Sequence, residues 1–86
     1  MEEGIMYSTE LIRKFPYEPT KPILYVVYNE QHIPDAELFI GMIHGEKYLD
    51  EHVTIVPFNG PKVKGNRDYE VYIDPMVFKY KQSWNN

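Results

Sequence analysis

The sequence predicts an α+β fold. It reads as a single small domain, with a β-rich antiparallel sheet of about four strands and one or two short helices against one face. Three observations carry that expectation. Only one alanine, Ala36, and four leucines occur, against eight tyrosines, eight isoleucines, seven valines and four phenylalanines. Alanine and leucine are the best helix formers, whereas β-branched and aromatic side chains lose rotamer freedom in a helix and suit a pleated surface. Seven prolines divide the chain into short pieces, and 86 residues leave room for one core only.

Taken in order, residues 7–15 fit a short helix. Ser8 is an acceptable N-cap, Glu10 sits in the first turn, and Arg13 and Lys14 close the last, as the helix dipole favours. A short strand fits almost as well, because so few residues hold a helix only with tertiary support. Pro16, Pro19 and Pro22 then recur every third residue, which makes 16–22 an extended, proline-rich connector. Residues 23–28, Ile-Leu-Tyr-Val-Val-Tyr, are apolar on both faces and read as a central strand covered on both sides.

Residues 34–45 are predicted to form a helix: Pro34, Asp35 and Glu37 stand at the front, His44 near the end and Gly45 just after. Against it stand Ile33, a poor N-cap, and Gly41, which costs about 1 kcal/mol relative to alanine inside a helix. The alternative is a strand over 38–44, bulged at Gly41. Residues 46–51 read as a polar loop. A strand follows at 52–58, with Pro57 placing it at a sheet edge. Asn59-Gly60 is a hairpin turn signal, 61–64 a short return strand, and 68–74 and 77–81 two further strands. In 68–74, Tyr69, Val71 and Ile73 alternate with Glu70, Tyr72 and Asp74, the pattern of a half-exposed antiparallel strand.

Several function classes recede on composition. There is no cysteine, so disulfides and thiolate metal sites are excluded and a reducing, cytoplasmic setting is expected. Met1–Glu10 carries acids and no apolar run, unlike a signal peptide, and no apolar run exceeds six residues, far short of a membrane span. Ser8 and Ser83 are the only serines, no Gly-rich phosphate loop occurs, and His32, His44 and His52 fall in no metalloprotease motif. His44 and Glu46 with Asp50, Glu51 and His52 form the densest polar constellation, but as loop residues they read as solvated surface rather than a metal site. No catalytic activity and no cofactor are expected.

What remains is binding. Residues 1–55 carry four bases and ten acids, whereas 56–86 carry five bases and three acids. Acids such as Glu37, Glu46 and Asp50 are suited to steering the chain toward a basic surface on a larger protein. Tyr48, Tyr72, Tyr80 and Trp84 are the candidate aromatic anchors. The expected role is a small non-catalytic module that docks on and modulates or inhibits a larger protein. Viral or mobile-element inhibitors of host nucleic-acid machinery are one such kind. The alternative is a sheet-based binder of single-stranded nucleic acid through Lys62, Lys64 and Arg67 and the neighbouring rings. Arg13-x-x-Pro16-x-x-Pro19 also matches a short SH3-ligand pattern that arises readily by chance. Either a monomer or a homodimer fits the sequence.

Overall fold

A computed structural model describes residues 9–59 and 67–77. Residues 9–13 are helical (α1), and the proline-rich connector leads from them into β1 (Ile23–Val27). A 3-10 turn (Glu30–His32) runs directly into α2 (Ile33–His44), which is followed by α3 (Glu46–His52) and β2 (Val53–Pro57). β3 (Glu70–Ile73) ends at Asp74, and residues 75–77 form a last helical turn.

The sheet corrects the sequence expectation. Among the described residues it has three strands in the order β2-β1-β3, and both pairings are parallel, not antiparallel. Ile23 lies opposite Val53 and Glu70, and Tyr25 lies opposite Ile55 and Tyr72. For the β1–β2 pair the physical reason is the connection between them. It contains α2 and α3, and a crossover of that length returns the chain to the same end of the sheet, whereas an antiparallel pair needs only a tight turn. β2 and β3 each pair with β1 and not with each other. The hairpin turn at Asn59-Gly60 and the return strand 61–64 lie largely outside the described residues. Of the strand expected over 77–81, Val77 is helical and the rest lies outside them.

The central-strand expectation holds. All five residues of β1 are buried, and the strand feeds two cores. Ile23, Tyr25 and Val27 pack with Ile12, Phe15, Ala36 and Ile40 under the helices, while Leu24 and Val26 pack with Val77 on the other face. A strand buried on both sides is what a parallel sheet produces, and its apolar run without alternation is the sequence mark of that burial. Each such side chain stabilises the fold by about 1.5–3 kcal/mol.

The helix expected over 34–45 is α2. Its poor cap is offset locally. His32 makes no capping side-chain bond, but the preceding 3-10 turn is itself capped by Asn29, whose side chain accepts from Gln31 N at 2.9 Å. Ala36 and Ile40 are buried, with Ile33 and Ile43 half-buried on the same side. The one alanine of the chain thus sits where the helix packs on the sheet, with only a methyl group to hold the two apart.

Residues 46–52, read as a loop with the following strand, are instead helix α3. Gly45 makes the corner. Its φ of 97° and ψ of 153° turn the chain, its N–H donates to the Gly41 carbonyl at 2.9 Å to close α2, and its carbonyl accepts from Leu49 N at 3.1 Å to open α3. A residue with a side chain avoids that backbone region, so the glycine that stops one helix is also what lets the next begin so close to it.

Candidate docking surface

Two groupings of side chains stand out, one inside the helical layer and one on its surface. The inner one is a stack of rings. Phe15 and His44 lie 5.7 Å apart and nearly parallel, His44 and Tyr48 are 4.6 Å apart at 21°, and His52 meets Tyr48 edge-on at 4.9 Å. Tyr48 and His52 are four apart on α3 and share one side of it, and the corner at Gly45 brings His44, the last residue of α2, onto the other face of the Tyr48 ring. Phe15 also touches Tyr72 at 4.5 Å. The hydrogen bonds secure the stack to the chain entering it. His44 Nε2 lies 2.7 Å from the Ile12 carbonyl, which only accepts, so that nitrogen carries the proton. The Tyr48 hydroxyl donates to the Pro16 carbonyl.

Tyr48 and Tyr72, expected as exposed anchors, are thus half-buried parts of this scaffold. The Tyr72 hydroxyl donates to Glu70 Oε1 at 2.9 Å. Its pKa is pushed up to about 12, chiefly by burial, then by that bond and the Glu70 charge. Burial also raises that of Tyr48, with Glu70 adding to it. Both phenols hold their protons tightly and serve as donors within the chain. On the far side of Tyr25, the Tyr25 hydroxyl donates to Asp74 Oδ2 at 2.9 Å, and Asp74 Oδ1 accepts from Met76 N at 2.9 Å. Asp74 is 7% exposed, and among the described residues no buried side-chain N or O atom lacks a partner.

His44 and His52 do not meet, because the Tyr48 ring stands between them. Glu46 and Asp50 face outward, and among the described residues no group of three or more His, Cys, Asp or Glu is placed to hold a metal ion. In the SH3-like pattern, Arg13 is exposed but Pro16 and Pro19 are half-buried, and the chain bends at Tyr17–Glu18. Lys62, Lys64, Tyr80 and Trp84 lie outside the described residues; Arg67 is exposed, and its carbonyl accepts from Lys21 Nζ at 3.2 Å.

The surface grouping is on the outside of α2 and α3, where Glu37, Glu46 and Asp50 are all exposed. Three contacts of sequence and space place them in one line. Glu37 and Gly41 are four residues apart on α2, and the Glu46 stem comes so near Gly41 that a Cβ built there would lie 3.6 Å from Glu46 Cγ. Glu46 and Asp50 are in turn four apart on α3. Beside this line Leu38 is 60% exposed and Met42 is 72% exposed, on the side of α2 opposite Ala36 and Ile40. The expectation from sequence missed these two. Their signal was present: Ile33, Ala36, Ile40 and Ile43 already complete one helical stripe, which leaves Leu38 and Met42 facing away from it.

Over residues 30–52 there are six acids and one lysine, Lys47. The helical layer is therefore an acidic surface with an apolar strip in it. Among the described residues no helix is long and apolar enough to cross a membrane. No protein-family model, no curated protein and no solved structure matches the chain.

Proposed function

We propose that this chain is a small non-catalytic protein-binding module of the cytoplasm that docks, through the outer surface of α2 and α3, on the basic surface of a larger protein and so modulates or inhibits it. The observation that carries this reading is the line Glu37–Glu46–Asp50 beside the exposed Leu38 and Met42. Charge brings the partners together and orients them, and an apolar strip inside a polar rim supplies the dry contact that holds them. The basic grooves of nucleic-acid enzymes, including those targeted by viral and mobile-element inhibitors, are surfaces of the right sign. The half-buried Tyr48 and Tyr72 support this surface from beneath.

The test is a tagged pull-down from cell extract, with and without nuclease, followed by binding kinetics on the recovered partner. One dominant protein that survives nuclease supports the reading. Reversing Glu37, Glu46 and Asp50 together to lysine is then expected to slow association by about tenfold or more and to flatten its salt dependence, since steering of this kind raises on-rates by about 10–1,000-fold. Unchanged association removes the acidic surface from the mechanism. Recovery that disappears with nuclease overturns the reading in favour of nucleic-acid binding near Lys62, Lys64 and Arg67.

A further inference from the structure

Gly41 lies in the third turn of α2, where glycine weakens a helix relative to alanine. Nothing among the described residues asks for it. Its backbone has no positive φ, and an added Cβ would meet only Glu46 Cγ at 3.6 Å, an ordinary contact. The side of α2 that Gly41 opens is the outer one. Leu38, three residues before it, shares its side of the helix and lines up with Met42 four residues further on, while the Glu46 stem lies across from it, so the missing side chain leaves a shallow notch between the exposed Leu38–Met42 strip and Glu46. Glu37 and Glu46 stand on one flank of the strip and Asp35, also exposed, on the other.

Resting on the docking reading above, we infer that this notch seats the apolar ridge of a basic amphipathic helix from the partner, packed across α2, with lysines or arginines of that helix reaching Asp35, Glu37 and Glu46. Two features select this occupant. Spacings of three and four residues are those by which one helix receives the ridge of another, and a glycine at the crossing point lets the axes come close. Charge decides the rest: a second copy of this surface, a nucleic acid or an anionic lipid would each bring negative charge against the three carboxylates, whereas a basic helix neutralises them.

The experiment is photocrosslinking in extract of the source cells, with p-benzoylphenylalanine placed singly at positions 38, 42, 50 and 17. Crosslinked peptides are identified by mass spectrometry. Positions 38 and 42 are expected to capture the same partner segment, rich in lysine and arginine and with apolar residues at spacings of three and four. Adding Gly41→Ala is expected to lower that capture by about tenfold, the loss that follows from weakening one well-packed contact. A melting curve showing that the Gly41→Ala chain is at least as stable as its parent separates this loss from unfolding.

Capture at position 50 alone leaves the docking reading in place and overturns the notch. Capture at 38 and 42 that ignores Gly41→Ala also overturns it. An acidic segment, a nucleic acid or a second copy of the chain in the crosslink refutes the basic helix. Absence of capture at every position refutes both the notch and the docking reading.

Discussion

Gly41 and Gly45 stand four residues apart, one inside α2 and one at its end, and the same substitution is expected to move stability in opposite directions at the two. At Gly41 the backbone is helical and a methyl group has room, with Glu46 Cγ at 3.6 Å as its nearest neighbour. Gly41→Ala therefore gains about 1 kcal/mol, the difference in helix propensity. At Gly45 nothing among the described residues lies within 4 Å of an added Cβ, so crowding is not the obstacle there. The obstacle is the backbone, at φ 97° and ψ 153°, a region that residues with a Cβ occupy only under strain. Gly45→Ala is expected to lose about 1–3 kcal/mol.

A separation of about 2–4 kcal/mol between the two variants follows from these figures. In a domain of this size each kcal/mol moves the melting temperature by about 4–8 °C, so the two melts should part by at least about 8 °C. Urea denaturation with a common slope checks that the change is one of stability rather than of unfolded-state compactness. Asparagine adds a sharper test. It substitutes for glycine at ordinary left-handed helix ends, where ψ is near 45°, but not at ψ 153°. Gly45→Asn should thus fail to recover what Gly45→Ala loses. If both alanine variants move stability in the same direction, or if Gly45→Ala is neutral, the account of the α2–α3 corner is wrong.

Two further outcomes follow from the buried polar groups. Tyr25→Phe and Asp74→Asn should each lower stability by about 1.5–3 kcal/mol, because each removes or weakens a buried bond to a carboxylate. A double-mutant cycle on the pair should show about 1 kcal/mol or more of coupling in urea denaturation, and additive losses would mean that the hydroxyl and carboxylate do not act together. For Tyr72, the folded-state pKa of about 12 lies above the ordinary tyrosine value of 10.0, so the folded chain binds more protons than the unfolded chain between those two pH values. Stability should therefore be full below about pH 10 and fall as pH rises toward 12. Tyr72→Phe should make part of that fall disappear when unfolding is followed by circular dichroism, and an identical alkaline profile would contradict the environment described for this phenol.

How much of this was legible in the sequence depends on whether the signal was local. Ile23–Val27 announced a strand buried on both faces through its unbroken apolar run. Pro34, Asp35, His44 and Gly45 marked both ends of α2. These are local preferences of backbone and charge, and they survive folding. Strand direction is not local. It depends on where the chain goes between β1 and β2, and the weight of β-formers in the composition drew the reading toward hairpins. α3 was missed for a related reason: a glycine normally ends a helix, and only the particular φ and ψ of Gly45 let a second helix start at once. Tyr48 and Tyr72 sit in polar stretches and read as exposed, whereas their rings turn inward onto His44 and Phe15.

The parallel topology also explains why the acids form one surface. The segment richest in them, residues 30–52, is the crossover between β1 and β2. A crossover must lie against one face of its sheet, so its helices spend one side on the core, here Ile33, Ala36, Ile40, Leu49 and their neighbours. On the other side Asp35, Glu37, Leu38, Met42, Glu46 and Asp50 are all exposed. Glu37, Glu46 and Asp50, nine and four residues apart in sequence, which a hairpin arrangement would scatter over separate turns, are therefore gathered on the outside of a single helical layer. In this chain the asymmetry of charge along the sequence and the asymmetry of charge across the fold have one cause, the passage of the chain from β1 to β2 through two helices on one face of the sheet. A partner that reads this charge must approach that layer, and on α2 it meets Leu38 and Met42 there.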